Sequence, residues 1–226
     1  MELKTVLLDL DGTILDFDMS AHMAMKQVLN NHGLPYSEEL YDEYEEINLE
    51  LWHEHEQGFI GIDKILGERF KRFLEKKQFE GDGKIFEEEY QYYLANGGHV
   101  MKGAVETVEY LAGKYELYVV SNGVTKTQFN RLKISGLDKY MKDIFISEAV
   151  GANKPLRQFF DYCFNQMKRP DRKRTMIVGD NLSSDIIGGY NAGIKTCWVN
   201  PEGKENSLLV PINYVIRDIR ELGNIL

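Results

Sequence analysis

The chain has 226 residues, of which 43% are hydrophobic and 28% charged, and its formal net charge is −9. These values are typical of a globular protein with one sizeable domain and a smaller module. The excess of negative charge argues against a nucleic acid polymer or an anionic membrane surface as the main partner. No apolar stretch could span a membrane, and Asp9 and Asp11 interrupt the only early apolar run, so we expect no signal peptide and a cytoplasmic protein. The two cysteines, Cys163 and Cys197, lie in apolar periodic stretches and are expected to be buried free thiols.

The first predicted element is a buried strand over residues 5–9 that leads into Asp-Leu-Asp-Gly-Thr. Side chains alternate along a strand, so Asp9 and Asp11 can face one site, and Gly12 then permits a sharp turn. Two acidic groups at the end of a buried strand are costly unless they are paired or bind a metal. The segment is therefore either an acidic turn or the beginning of a functional site.

A helical block follows, because from about residue 20 to residue 94 the apolar positions recur with a period of 3.6. Its apolar stripes are Leu40, Tyr44, Ile47 and Leu51, then Ile62, Ile65, Leu66, Phe70, Phe73 and Leu74, and finally Phe86, Tyr90, Tyr93 and Leu94. No strand interrupts this block. We therefore predict a helical domain over residues 18–96, inserted between core segments 1–17 and 97–226.

Strands and helices alternate in the remainder of the chain. Strands are predicted over residues 117–121, 144–147, 175–178 and 196–199. Helices are predicted over about 104–113 and 126–135, in the stretch that Pro155 opens and that carries Phe159, Cys163 and Met167, and up to Gly193. This alternation predicts an α/β fold with a doubly wound parallel sheet.

Polar side chains follow the predicted strands at their carboxyl ends, which is where ligands bind in open α/β sheets. They are Ser121-Asn122-Gly123, Lys154-Pro155, Gly179-Asp180-Asn181, and Asp185 five residues after Asp180. Each alone has a simpler interpretation, as a turn, a solvated lysine or a helix cap. Their joint occurrence in this order, each after a predicted strand, favours a single site.

The ordered set Asp-x-Asp-Gly-Thr, Ser-Asn-Gly, Lys-Pro and Gly-Asp-x-x-x-x-Asp resembles the four motifs of the haloacid dehalogenase-like (HAD) superfamily. The resemblance covers the core from Val6 to Gly193, and the helical insertion resembles the cap domain of that superfamily's subclass I. It implies a Rossmann-like core and a phosphatase that hydrolyses phosphate monoesters through an aspartyl-phosphate intermediate.

The resemblance also implies roles for individual residues. Asp9 would be the nucleophile, and Asp11 would protonate the leaving alkoxide and later deprotonate the attacking water. Ser121, with backbone N–H groups near Leu10, Asp11 and Asn122, would hold the phosphoryl oxygens, and Lys154 would steady the nucleophile and the transferring group. The true dehalogenases of the superfamily do not need this second acid or a metal, so the presence of Asp11 favours a phosphatase.

The implied cofactor is Mg²⁺, a hard cation that prefers a few carboxylates, water and phosphate oxygens. Its ligands by resemblance would be Asp9, the backbone carbonyl of Asp11, and Asp180. Asp185 would be either a further ligand or an acidic partner of one.

Longer segments resemble the pyrimidine 5′-nucleotidases of this superfamily. These segments are residues 14–18, 48–58, 146–151 and 191–200. In residues 151–155, Asn153 stands where relatives often have a small or aliphatic residue. Trp52, Phe59 and the tyrosines at 41, 44, 90, 92 and 93 can stack on a base, with packing within the cap as the alternative for each one.

We therefore expect a Mg²⁺-dependent nucleoside 5′-monophosphatase, and a monomer or small homo-oligomer. One alternative is a HAD phosphatase or phosphomutase acting on a sugar phosphate or phosphoglycolate. Another, from a different class, is a catalytically silent HAD fold that serves as a binding module. The intact set Asp9, Asp11, Lys154 and Asp180 argues against the silent module.

Overall fold

The computed structural model describes residues 2–226. The chain forms two compact units: an α/β unit built from the segments up to Phe17 and Gly98–Leu226, and a helical unit, Asp18–Gly97. No helix among the described residues is long and apolar enough to cross a membrane. The assignment of the helical unit as the cap domain of subclass I stays a prediction.

The helical unit contains four helices, α1 (Phe17–Asn31), α2 (Glu38–Glu56), α3 (Ile62–Lys77) and α4 (Gly83–Ala95), and α1 begins at the last residue of the first α/β segment. Its interior is aromatic: the ring of Tyr44 lies 4.8 Å from that of Phe70 and 5.6 Å from that of Tyr90, and all three are fully buried. The apolar stripes predicted from the sequence supply this interior.

The α/β unit contains one six-stranded sheet. Its strands are β1 (Thr5–Leu8), β2 (Glu116–Ser121), β3 (Met141–Ile146), β4 (Thr175–Gly179), β5 (Lys195–Val199) and β6 (Tyr214–Ile216). All neighbours are parallel and the order is β3-β2-β1-β4-β5-β6, which confirms the predicted doubly wound sheet. The sequence did not predict β6, because three residues are too few for a periodic pattern.

The central strand β1 is buried on both faces. Val6 and Leu8 pack into the hydrophobic cluster on one face, and Leu7 packs into the cluster on the other face with Tyr118 and Val120. A continuous apolar strand of this kind is typical of a parallel sheet covered by helices on both sides. It holds the residues that follow β1 at a fixed place.

The helices of the α/β unit are α5 (Ala104–Ala112), α6 (Thr125–Ser135), α7 (Ser147–Val150), α8 (Arg157–Gln166), α9 (Ile187–Ala192) and α10 (Leu222–Ile225). Gly136 and Gly193 end α6 and α9 in the left-handed conformation, as the sequence predicts. Pro155 does not open a helix, because Leu156 is extended and α8 begins only at Arg157. Both cysteines are buried free thiols, as expected.

Candidate active site

Successive strands are added on one side of β1 as far as β3 and then on its other side from β4 to β6, so the strand order switches beside β1. Leu8 pairs with Val178 of β4, and Asp9 and Asp180 follow directly at the carboxyl ends of these two neighbours. In open α/β sheets the crevice at such a switch is the usual ligand site. The fold therefore places two of the predicted site residues at this position.

The segment after Asp9 is a tight turn around one carbonyl. The oxygen of Leu10 accepts hydrogen bonds from the backbone N–H groups of Ile14 (3.0 Å) and Leu15 (2.8 Å). Gly12 has a φ of 73°, and a Cβ there would lie 2.5 Å from Oδ2 of Asp180. Only glycine suits this position, because it accepts the left-handed conformation and lets Asp180 approach the backbone.

Lys154 is the central cation of the site and is buried. Its Nζ donates to Oδ1 of Asp9 (2.5 Å), Oδ1 of Asp185 (2.7 Å) and the carbonyl of Val120 (3.0 Å), which uses all three ammonium hydrogens. Burial by itself lowers the pKa of Lys154, but Asp185 and Asp9 outweigh it and leave that pKa above its ordinary value. The solvated-lysine interpretation is therefore wrong.

Three carboxylates form a compact acidic cluster. Asp9, Asp180 and Asp185 each offer one oxygen, and these oxygens lie within 4.8 Å of one another. Burial raises the pKa of Asp9 well above its ordinary value; Lys154 opposes that rise, and the neighbouring carboxylates add to it. Burial and Asp185 raise the pKa of Asp180 to about 7. Hard oxygen donors at this spacing suit a divalent cation.

Asp185 is fully buried and contributes more than charge. Its Oδ1 accepts from Lys154 and its Oδ2 accepts from the backbone N–H of Asn181 (3.2 Å). It therefore ties the lysine to the turn that carries Asp180, which is a different role from a simple helix cap.

Ser121 is the last residue of β2 and Asn122 follows it, and the two are held by different partners. Oγ of Ser121 accepts from the N–H of Gly123 (3.1 Å) and from Nε2 of Gln128 (2.9 Å), so both lone pairs are used and the hydroxyl hydrogen can donate to an oxyanion. The side chain of Asn122 binds the backbone of Lys154 twice, from Nδ2 to its carbonyl (2.9 Å) and at Oδ1 from its N–H (2.8 Å). Asn122 thus fixes the loop that carries the lysine, and its backbone N–H is the part suited to a phosphoryl oxygen.

Asp11 is held by two side chains of α6. Oδ1 accepts from Nη1 of Arg131, and Oδ2 accepts from Nε2 of Gln128 at 2.5 Å. The side chain of Asp11 is 31% exposed, whereas that of Arg131 is fully buried. Sequence reasoning missed Gln128 and Arg131. A partial signal was present, since Gln128 stands four residues before Leu132, on the face of α6 that is buried.

The structure thus brings the predicted site residues together within one unit. Asp9, Lys154, Asp180 and Asp185 form a connected group, Asn122 holds the lysine loop, and Gln128 links Ser121 to Asp11. Asn153, the departure from the family pattern, is buried beside the lysine, and its carbonyl accepts from the N–H of Leu156 at 2.9 Å.

Comparison with known families identifies this arrangement. Residues 3–193 match the model of the haloacid dehalogenase-like hydrolases. The chain belongs to this family. The resemblance stated from the four motifs is confirmed, and the helical insertion and parallel sheet agree with the HAD fold.

Three relatives extend the match beyond the family motifs. The HAD-hydrolase YfnB of Bacillus subtilis is 37% identical over 99% of this chain and 95% of its own length. The pyrimidine 5′-nucleotidases PynA of Streptococcus pneumoniae and YjjG of Escherichia coli are 35% and 30% identical, over 97% and 100% of this chain and 93% and 99% of their own lengths. A magnesium-bound crystal structure of YfnB matches with a TM-score of 0.95, at 36% identity, over 100% of this chain and 99% of that one. The chain is therefore a HAD hydrolase of the phosphoric monoester hydrolase type.

Proposed function

We propose that the chain is a Mg²⁺-dependent nucleoside 5′-monophosphatase that acts through an aspartyl-phosphate intermediate and prefers pyrimidine nucleotides. The observation that carries this proposal is the cluster of charged side chains at the carboxyl ends of β1 and β4. In it, buried Lys154 binds Asp9 and Asp185, and a carboxylate oxygen of Asp180 lies within 4.8 Å of oxygens of both aspartates. A reactive carboxylate, a fixed cation and a set of hard ligands are what phosphoryl transfer requires.

The charge balance of the site supports a divalent cation. Among the described residues, the three carboxylates of Asp9, Asp180 and Asp185 surround one ammonium, that of Lys154. The excess of two negative charges would be balanced by one Mg²⁺ held by Asp9, Asp180 and the backbone carbonyl of Asp11. When bound, Mg²⁺ would reduce the repulsion between the nucleophile and the phosphate anion.

The protein's own groups then account for both steps. Lys154 holds Oδ1 of Asp9, so Oδ2 attacks phosphorus while the ester oxygen leaves and takes a proton from Asp11. Ser121 donates its hydroxyl hydrogen to a phosphoryl oxygen. A water molecule next attacks phosphorus, gives its proton to Asp11 and releases inorganic phosphate, which regenerates Asp9.

The preference for nucleotides is supported by PynA and YjjG, whose names describe pyrimidine 5′-nucleotidases, and by the segments that resemble that group. Fewer aromatic side chains are accessible for stacking on a base than the sequence suggested. Tyr41, Tyr44 and Tyr90 are buried in the helical unit, while Phe59 (73% exposed) and Tyr92 (65% exposed) are accessible to solvent. Stacking on an aromatic ring is worth about 1–3 kcal/mol per base, so the preference should be clear but permissive.

The test is a substrate comparison with purified protein and Mg²⁺. We expect kcat/KM to be higher for UMP, dUMP or dTMP than for phosphoglycolate and the glucose phosphates. A sugar phosphate that is preferred by a wide margin would reject the nucleotide assignment and leave a HAD phosphatase of other specificity. Absence of metal-dependent turnover of p-nitrophenyl phosphate would favour the silent binding module instead.

A further inference from the structure

Two buried side chains of α6 bear on the second carboxylate of the site. We propose that Arg131 and Gln128 are positioning residues that fix the carboxylate of Asp11 for proton transfer to the leaving group. This inference rests on the proposed function, because it concerns the acid and base of that same reaction.

The geometry is a closed set of hydrogen bonds. Arg131 Nη1 donates to Oδ1 of Asp11 and to Oε1 of Gln128 (3.0 Å), and Gln128 Nε2 donates to Oδ2 of Asp11 (2.5 Å). Both oxygens of the carboxylate are therefore held, by donors that project from one face of one helix. A carboxylate contacted at one oxygen can rotate, whereas contacts at both oxygens fix its plane.

The same glutamine connects the acid to the phosphoryl site. The second hydrogen of Gln128 Nε2 donates to Oγ of Ser121 (2.9 Å), so one amide binds both the proposed proton donor and the proposed phosphoryl ligand. The distance between the transferring group and the acid is thereby set by a buried side chain. Misplacing a reacting group by about 1 Å can cost about 100-fold in rate, so such control has a large effect on turnover.

Burial shows that this contact is built into the fold. Arg131 is fully buried and Gln128 is 2% exposed, and both lie on the buried face of α6. The guanidinium lies 5.5 Å from the ring centroid of Phe17, which provides a flat surface under it. A buried guanidinium is costly unless paired, and the partner this one has is the carboxylate proposed as the acid.

Substrates with different leaving groups distinguish a role in positioning Asp11 from a purely structural role of Arg131, because only the former changes the ratio of their kcat/KM values. The alkoxide released from UMP needs a proton as it leaves, whereas p-nitrophenolate is stable without one. kcat/KM reports the step up to departure of this group, so a displaced Asp11 affects kcat/KM for UMP and spares that for p-nitrophenyl phosphate. Loss of Ser121 or of the fold would lower both values together.

The variants are Arg131→Met, Arg131→Lys and Gln128→Met, with Arg172→Met as the matched control. Arg172 also binds an aspartate, Oδ1 of Asp161 at 2.5 Å, and also lies over a ring, that of Phe164 at 4.2 Å, but it is outside the site. Removing Arg131 leaves Asp11 partly exposed, so water can solvate it and the protein should still fold. Thermal melting of each variant checks this.

For Arg131→Met we expect kcat/KM on UMP to fall about 10- to 100-fold and that on p-nitrophenyl phosphate to change less than about threefold. Gln128→Met should lower both values, with the larger loss on UMP, because it also releases Ser121. Arg131→Lys should restore part of the loss, since an ammonium keeps the charge without the planar donor pair. Arg172→Met should match the wild-type enzyme on both esters.

Equal losses on the two esters for Arg131→Met, or no loss on either, would overturn the inference. If the wild-type enzyme hydrolyses phosphoglycolate or glucose 6-phosphate but not UMP, the nucleotide assignment fails, and the same ratio is measured with that alkyl ester. Wild-type protein that hydrolyses no ester, p-nitrophenyl phosphate included, would reject the proposed function and this inference together.

Discussion

Two buried cationic side chains, Arg69 in the helical unit and Lys154 in the α/β unit, are paired in different ways. In the helical unit Arg69 binds Glu87 through two hydrogen bonds, from Nη2 to Oε1 at 2.6 Å and from Nε to Oε2 at 2.7 Å, and Nη1 donates to Asn48 at 2.9 Å. In the α/β unit Lys154 divides its hydrogen bonds between two carboxylates and a carbonyl. Arg69 therefore pairs with one carboxylate, whereas Lys154 pairs with two.

The difference separates a structural ion pair from a reactive one. The planar guanidinium of Arg69 matches a single carboxylate and satisfies both of its oxygens, so the pair is closed. The ammonium of Lys154 leaves carboxylate oxygens of Asp9 and Asp180 to other partners, and the negative charge there exceeds the positive. A buried pair that is balanced supports a fold, whereas an unbalanced one is suited to bind a cation and an electrophile.

The largest effect on activity should come from removing the carboxylate of Asp9, which Lys154 binds. We expect Asp9→Asn to lower turnover of p-nitrophenyl phosphate by at least about 10³-fold, because an amide cannot serve as the nucleophile. The fold should persist, since an amide keeps the shape of the side chain and removes a charge that is costly to bury. Steady-state kinetics and thermal melting of the variant measure the two parts.

The same variant tests the cation. Mg²⁺ should raise the Tm of the wild-type enzyme, because a ligand that binds only the folded state stabilises it, and should raise that of Asp9→Asn much less. EDTA should abolish wild-type activity and added Mg²⁺ should restore it. Asp161→Asn, which changes a solvent-exposed aspartate of α8 outside the site, is the control and should behave as wild type. Full activity of the wild-type enzyme in EDTA would instead favour dehalogenase-like chemistry.

The charged cluster around Lys154 was largely predictable from the sequence, whereas the ion pair of Arg69 with Glu87 was not. Asp9 and Asp180 follow apolar strands, and the topology of a doubly wound sheet brings strand ends to one edge, so local pattern implied proximity. The helical spacing of α6 indicates that Gln128 shares a face with Leu132, but the groups that Gln128 and Arg131 contact depend on packing that the sequence does not show. Arg69 and Glu87 meet only because α3 lies against α4, which no single-helix pattern shows.

The ion pair of Arg69 with Glu87 should contribute to the stability of the fold. We expect Arg69→Met to lower the free energy of unfolding by about 3–5 kcal/mol, because it leaves the carboxylate of Glu87 buried without its partner. Arg69→Met combined with Glu87→Leu should recover most of that loss, since two apolar side chains need no pairing. Urea unfolding of the full chain measures each change.

A surface pair is the matched control for Arg69. Lys77 Nζ donates to Oε1 of Glu43 at 2.8 Å, and both side chains are partly exposed, so Lys77→Met should change stability by no more than about 1 kcal/mol. A double variant as unstable as Arg69→Met alone would show that packing, and not an unpaired charge, sets the cost. Equal losses for Arg69→Met and Lys77→Met would contradict the contrast between buried and exposed pairs.

The smallest predicted effect concerns Glu45, at the end of the network of Arg69. Asn48 Nδ2 donates to Oε2 of Glu45 at 3.1 Å. Burial raises the pKa of Glu45 from its ordinary value of 4.5 to about 7; the hydrogen bond from Asn48 lowers it, nearby Asp18 raises it and Arg69 lowers it. Because the folded protein holds this proton more tightly than the unfolded chain, Glu45 stabilises the fold below pH 4.5, and that stabilisation is lost as the pH rises through about 7.

Replacing Glu45 by glutamine should remove this pH dependence. We expect Glu45→Gln to be more stable than wild type at pH 8, by about 1–3 kcal/mol, and to differ little from it at pH 4.5, where the carboxyl is already neutral. Urea unfolding at half-unit pH intervals measures the difference between the two proteins. Glu46→Gln is the control, because that side chain is 73% exposed and pairs with the surface Lys76 at 3.3 Å, so it should differ from wild type by no more than about 1 kcal/mol. A constant difference between Glu45→Gln and wild type across this pH range would show that Glu45 titrates near its ordinary pKa.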